Sequence, residues 1–291
     1  MIFSNIKELF LKLVTHKLEE SALEDFIIVE NLPEAFCKKC GRKEKIYKRP
    51  FCKITARCSW CSTQHNVIKF KQLSSFTLYD YLKFICYYIL GIKPNAMSIM
   101  LNKSAGTIKR QIRTLREIIT SKYECSLNKI GGIGHVVEID ETCVGRRKNH
   151  RGRVRNQVWI FGAVDRSTGR FLMKKVQNRK SETLGNAIEQ MIEQYSHIES
   201  DEWPAYFKYF SENNFYTHST VNHTFNFIDP LTGSHTQTIE ARWGSFKKWM
   251  RSMGYKSRIK LNQYILEYIL RCDYKNEDVW KLFEKIINLI S

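Results

Sequence analysis

The sequence predicts an α/β chain in which a mixed sheet-and-helix domain over residues 128–291 follows a cysteine-paired module in residues 1–72 and a helical module in residues 73–127. Three observations predict it. Three apolar runs of strand length, "HVVEID", "QVWIFGAVDR" and "RFLMKKVQ", come in succession and lead into the helical pattern "ETLGNAIEQMIEQY". Two C-x-x-C pairs stand near the N-terminus. Between these regions, apolar residues recur at helical spacing on segments whose other positions are basic.

The composition narrows the partners. The chain has 291 residues, 43% of them hydrophobic and 13% aromatic, which supplies real cores and excludes a disordered protein. Forty-seven Lys and Arg against 29 Asp and Glu give a formal charge of +18, a field that attracts polyanions, and nucleic acid is the leading partner. A generally basic protein or one bound to an anionic membrane surface would share this excess. The most apolar stretch, "FICYYILGI" (residues 84–92), is shorter than the roughly 20 residues a spanning helix needs, so no membrane partner is expected. The N-terminal "MIFSNIKELFLKLVTHKLEE" alternates apolar and charged residues and reads as an amphipathic helix, not a secretory signal. Nine cysteines without such a signal point to reduced thiols and a metal site.

In the first segment, Cys37 and Cys40 form one pair and Cys58 and Cys61 another, separated by the seventeen residues 41–57. Each pair can clamp one side of a tetrahedral ion from a tight turn, so the four thiolates predict a zinc ribbon with a closed structural Zn(II) site. Buried or redox thiols are the alternative, and Cys52 is left over between the pairs. Nine Lys and Arg crowd this module together with Tyr47 and Trp60, a composition suited to phosphate contacts and equally to a solvated basic surface.

In the second segment, "FTLYDYLKFICYYILGI" is a helix that stops at Gly91. A short helix then begins near Pro94, a turn follows at residues 102–104, and a longer helix turns Ile108, Ile112, Leu115 and Ile119 inward. Lys109, Arg110, Arg113 and Arg116 are expected on its outer side. Short helix, tight turn and longer basic helix make a helix-turn-helix pattern whose second helix would enter a major groove, although any three-helix bundle can mimic it.

In the third segment, "STG" turns between the second and third strands, Ser181 is the expected N-cap of the helix that follows, "HIESD" is a short strand and "EWPAYFKYF" a helix. Next, "HTQTIEARWGSFKKWMR" (residues 235–251) aligns Ile239, Trp243, Phe246 and Met250 on one stripe and carries Glu240, Lys247 and Arg251 along its flank. Asp140 and Asp201 are read as the last residues of their strands, and strand ends at one sheet edge are where α/β folds place their sites. Three carboxylates meeting there would repel unless a cation were bound, and a hard dication, Mg(II) or Mn(II), suits oxygen ligands. Spacing alone leaves Glu138, Glu141, Glu199, Glu202 and Asp165 as alternatives, and charges on a helix flank are ordinarily just solvated.

Four ordered motifs sharpen this reading: the double C-x-x-C, "DETCVGRRKNHRGR" from Asp140, "SDEWPAY" from Ser200 and "VNHTFNFIDPLTGSHTQTIEARWGSFKK" from Val221. Over roughly residues 35–280 they resemble the Merlin-type DDE transposases, eukaryotic relatives of bacterial insertion-sequence transposases that carry an N-terminal zinc ribbon and an ISXO-like transposase domain. The resemblance implies an RNase H-like fold for the third segment, with Asp140, Asp201 and Glu240 as the metal-binding triad and Lys247 as a basic residue near the reacting DNA end. His150, Arg151 and Arg153 would hold the DNA backbone. Glu202 stands where relatives often have Gly, and Cys143 occupies a variable place in the first motif.

On that resemblance the chain is expected to bind double-stranded terminal inverted repeats, cut out its element and join the ends to target DNA as a homodimer or larger assembly, by a two-metal mechanism. A domesticated, non-catalytic DNA-binding relative and a nuclease of the same fold without joining activity are the competing readings. The eukaryotic branch implies a nuclear site of action, a bacterial one the cytoplasm.

Overall fold

The computed structural model describes residues 5–19, 22–23, 36–49, 53–66, 76–144, 157–221, 235–254, 260–275 and 277–290. They fall into two compact units, one formed by Met1–Lys122 with Tyr274–Ser291 and the other by Tyr123–Asp273. Among the described residues no helix is long and apolar enough to cross a membrane.

In the first unit, α1 (Ile6–Val14) starts at Asn5, whose side chain accepts the Glu8 N–H, and buries Ile6, Leu9, Phe10 and Leu13. A three-stranded antiparallel sheet follows, built from β1 (Lys45–Arg49), β2 (Lys53–Arg57) and β3 (Gln64–Asn66). Then come α2 (Leu78–Ile89), capped by Thr77, and the pair α3 (Pro94–Met100) and α4 (Ala105–Tyr123). The turn between α3 and α4 takes Asn102 to a φ of 48°, and the Ser104 hydroxyl accepts the Thr107 N–H at 3.1 Å to start α4.

The inward stripe of α4 is the expected one, with Ile108, Ile112, Leu115 and Ile119 all buried. Lys109, Arg110 and Arg113 are exposed, but Arg116 is only 8% exposed. It lies four residues after Ile112 and three before Ile119, so helical spacing returns it to the inner stripe. The terminal helix α9 (Val279–Ile290) buries Leu282, Phe283 and Ile286 and returns to α1, with the Phe10 and Phe283 rings 5.3 Å apart. The sequence pattern places this helix in the third segment, whereas it belongs to the first unit, because a contact between chain ends leaves no trace in local periodicity.

The second unit contains β4 (Ile130–Gly131), β5 (Val136–Val144), β6 (Val158–Asp165), β7 (Phe171–Val176), α5 (Ser181–Met191), β8 (Ile192–Glu193), β9 (His197–Asp201), α6 (Pro204–Ser211), β10 (Thr217–Val221), α7 (Gln237–Ser252) and α8 (Leu261–Asp273). Its main sheet has the order β10-β9-β5-β6-β7, while β4 and β8 form a separate parallel pair. The β5-β6 and β6-β7 pairs are antiparallel and the β5-β9 and β9-β10 pairs parallel, so β6 alone runs against the others. That order with one reversed strand is the RNase H-like topology. Helix α5 begins one residue earlier than predicted, with Lys180 at the cap, and Asn178 Oδ1 accepts both the Lys180 N–H and the Thr183 hydroxyl.

Ile239, Trp243, Phe246 and Met250 bury the predicted stripe of α7. A Cβ on Gly162 would lie 2.5 Å from Trp243 Cζ2 and 3.2 Å from Phe171 Cε2, so the bare glycine is what lets the indole approach β6 this closely. Replacing Gly162 by Ala is expected to destabilise the protein by about 1–3 kcal/mol through overpacking, a shift that urea unfolding followed by tryptophan fluorescence would measure.

Candidate metal centre and its supports

Strand register brings the first two carboxylates together. The parallel β5-β9 ladder pairs Val136 with His197 and Glu138 with Glu199, and continued by two residues it sets Asp140 level with Asp201 on the same face. Asp201 ends β9 as predicted, but Asp140 lies in mid-strand, because β5 runs on to Val144 with β6 as its remaining partner. Asp140 therefore sits where its parallel neighbour stops, the geometric equivalent of a strand end. Burial, then the charges of Glu141 and Asp201, push the Asp140 carboxyl up to about 7, against the hydrogen bonds it receives. Its Oδ1 accepts the Glu141 N–H at 2.7 Å and its Oδ2 the Trp243 indole N–H at 3.0 Å, while Asp201 Oδ1 accepts the Trp203 N–H at 3.1 Å.

The structure separates these two from the other acidic candidates by what neutralises each. Glu138 and Glu199, one step down the same strands, share Arg166: its Nε donates to Glu138 at 2.7 Å and its two terminal nitrogens donate to Glu199. Asp165 pairs with His135 at 2.9 Å. Glu141 points to the opposite face, where Arg179 contacts it at 2.7 Å and the buried Tyr206 hydroxyl donates to it; burial is the first cause that raises its pKa. Glu202 is exposed. Among the described residues, Asp140 and Asp201 form no ion pair with a side-chain cation, so two adjacent carboxylates are left whose charge an added cation would balance. Their all-oxygen donor set fits Mg(II) or Mn(II).

Glu240 is exposed on α7, three residues before the tryptophan that touches Asp140. Among the described residues only the four cysteines bring three or more possible ligand atoms within 4.8 Å of one another, so Glu240 is not closed onto Asp140 and Asp201. The cysteines are Cys37, Cys40, Cys58 and Cys61, with sulfur separations of 3.4 Å (Cys37 to Cys61), 3.5 Å (Cys40 to Cys58) and 3.9 Å (Cys40 to Cys61). A tetrahedral zinc thiolate site implies about 3.8 Å between sulfurs. Each pair sits in its own copy of one kind of turn. The Cys37 N–H donates to Arg42 O and the Gly41 N–H to Cys37 O; likewise the Cys58 N–H donates to Thr63 O and the Ser62 N–H to Cys58 O. Gly41 (φ 70°) and Ser62 (φ 56°) occupy the left-handed position that each turn needs. Four sulfurs this close fit one structural zinc ion.

Comparison with known proteins gives a family. The model of the ISXO2-like transposase domain matches residues 131–277, half of the chain and nearly the whole of the second unit. The chain belongs to the ISXO2-like transposase family. That places it among DNA-recombination proteins. No curated protein sequence matches it. Similar solved structures include the HTLV-2 integrase catalytic core domain in complex with magnesium (15% identity, TM-score 0.31, covering 50% of this chain and 87% of that one). The BIV integrase catalytic core domain is similar at 14% identity and TM-score 0.35, over 52% of this chain and 94% of that one. The simian T-cell lymphotropic virus intasome in complex with PP2A regulatory subunit B56 gamma has 15% identity and TM-score 0.32, covering 63% and 66%.

Within this transposase domain, Lys247 is half-buried two helical turns beyond Glu240, and Arg251 is exposed one turn further. His150, Arg151 and Arg153, like Cys52, lie outside the described residues. On the cysteine module Lys38, Lys39, Arg42, Lys43 and Lys45 are exposed, and the Arg42 guanidinium stacks 3.9 Å from the centre of the Trp60 ring. Sequence reasoning missed the groups that support the carboxylates: Arg166, Arg179, Tyr206, and the indole of Trp243, which it counted only as core. The one sequence signal was negative, in that each buried acid demanded a cation that spacing could not assign. Replacing Arg166 by Met is expected to cost about 3–5 kcal/mol at neutral pH, because Glu138 and Glu199 would stay buried without their cation. Urea unfolding of the variant beside the wild type would measure the deficit.

Proposed function

We propose that the protein is a DDE transposase that binds the terminal inverted repeats of its own element and catalyses metal-dependent strand cleavage and strand transfer. The observation that carries this is the juxtaposition of Asp140 and Asp201, two carboxylates of an RNase H-like sheet that, among the described residues, pair with no side-chain cation, in a chain of the transposase family. Asp140, Asp201 and Glu240 would hold Mg(II) or Mn(II). When bound there, such ions would supply Lewis-acid activation of an attacking water or hydroxyl and charge stabilisation of the leaving oxygen in a phosphodiester displacement. The chain's own contribution is geometric. The sheet holds Asp140 and Asp201 side by side, α7 supplies Glu240 from a packed helix, and Lys247 on the same helix faces phosphate near the reacting end.

The remaining basic surface recognises DNA in this reading. Lys109, Arg110 and Arg113, exposed along α4, would meet a major groove in the manner of a helix-turn-helix, and Arg251 would extend the contact beyond Lys247. The cysteine module, held by zinc, would add phosphate contacts through its exposed lysines. Two element ends must be cut together, so the active form would be a dimer or larger assembly on double-stranded DNA.

Purified protein given Mg(II) or Mn(II) and labelled duplexes bearing the element's own repeats is expected to yield joined strands, and the Glu240→Gln variant none. Tight repeat binding with no cleavage under either metal would instead mark a non-catalytic DNA-binding relative. Cleavage of duplexes without repeats and no joined product would mark a nuclease. Zinc analysis is expected to find about one ion per chain. Removing it with a chelator should unfold strands β1, β2 and β3 and weaken DNA binding, seen as fast amide exchange there, while exchange in strands β5, β6 and β9 stays slow.

A further inference from the structure

Helix α7 meets β5 at two polar points that bracket Glu240. The Ile239 N–H, in the first turn of α7, donates to Glu138 Oε2 at 2.9 Å, and the Trp243 indole N–H donates to Asp140 Oδ2 at 3.0 Å. Thr236, the N-cap residue, makes no side-chain capping bond, so a carboxylate from the sheet satisfies this orphan donor of the helix end. The spacing matches on both elements: two residues of strand advance about 6.7 Å, and four residues of helix about 6 Å. The lower point is braced in turn. Arg166 holds Glu138 and Glu199, Glu199 accepts the His235 N–H at 2.9 Å, and Arg166 donates to the His235 carbonyl, which fixes the chain entering α7.

We propose that Glu138 and Trp243 are positioning residues of the metal centre, and that the two hydrogen bonds they make set where α7 holds Glu240 relative to Asp140 and Asp201. This rests on the transposase reading for the role of Glu240, though the two attachments themselves do not. A carboxylate supplied from a separate helix must be placed to a fraction of an ångström to complete a dication site. Apolar packing alone lets a helix slide or rotate slightly at little cost. Polar contacts at both ends of one turn forbid both motions, because each has a fixed length and direction.

The test uses the full chain and Mn(II) binding followed by electron paramagnetic resonance, beside thermal unfolding. Trp243→Phe keeps the ring over Gly162 and loses only the indole donor. Glu138→Gln offers a single acceptor oxygen where Arg166 and the Ile239 N–H both require one. Each is expected to raise the Mn(II) concentration for half-saturation at least threefold, and Trp243→Phe to do so with little loss of Tm. Phe246→Leu, a packing change on the same helix, is expected to lower Tm and leave Mn(II) affinity within error. If Mn(II) affinity follows Tm across all three variants, or moves in none, the proposal is overturned. If the wild type binds no Mn(II) that Asp140→Ala abolishes, the metal-centre reading fails instead. The attachments are then judged by amide exchange at Ile239: protection in the wild type that Glu138→Gln removes supports them, and fast exchange in the wild type overturns them.

Discussion

A carboxylate buried in a sheet needs a partner, and the second unit is organised around how that need is met. Glu138 sits with no exposed surface on the central strand and is neutralised from two directions, by the Arg166 guanidinium from the end of β6 and by the backbone N–H of Ile239 from the start of α7. An unpaired charge at that position would cost several kcal/mol. The same requirement therefore fixes the β6 turn, the chain entering α7 and the seat of α7 on the sheet. Glu199 extends the constraint to β9, so three separate stretches of chain converge on one guanidinium.

One residue pair further along the same strands, the solution changes. Asp140 and Asp201 face each other with hydrogen-bond donors but, among the described residues, without a side-chain cation, and burial with the charges of Glu141 and Asp201 lifts the Asp140 carboxyl to about 7. The sheet thus repeats one motif twice in register, a carboxylate from β5 beside one from β9, balanced by Arg166 in one tier and, among the described residues, left open in the next. Rigidity comes from the balanced tier, while chemistry is left to the open one. Natural sites commonly concentrate electrostatic cost where function requires it and offset it with satisfied neighbours.

The opposite face uses related means. Glu141 follows Asp140 in sequence and, with the alternation of a strand, points away from it to Arg179 and Tyr206. Arg179 in turn stacks 3.9 Å from the centre of the Trp203 ring, the indole N–H of Trp203 donates to the Arg179 carbonyl, and the backbone N–H of Trp203 holds Asp201. Both aspartates are consequently anchored through the sheet as well as along it. In the first unit, two copies of one turn, Cys-x-x-Cys followed by a residue with positive φ, gather four sulfurs without any large core, the usual recourse of a module too small to bury enough apolar surface.

Much of this was legible in the sequence. Strand and helix periodicities located the three-strand meander, the Asp201 strand and α7, because residues that face a core must recur every two or 3.6 positions. The cysteine pairs declared themselves, since their ligand spacing is local. The inner stripe of α4 was also read correctly, but assigning Arg116 to the outer side overlooked that spacing of three and four from buried neighbours carries it inward. What the sequence could not decide is every pairing made across the fold. That Arg166 neutralises Glu138 and Glu199, that Trp243 reaches Asp140, and that α9 returns to α1 all join residues far apart in the chain. Local pattern fixes which way a side chain faces along its own element. Only strand register and helix docking fix what it meets, and Asp140 and Asp201 owe their separation from five other acidic neighbours to those meetings.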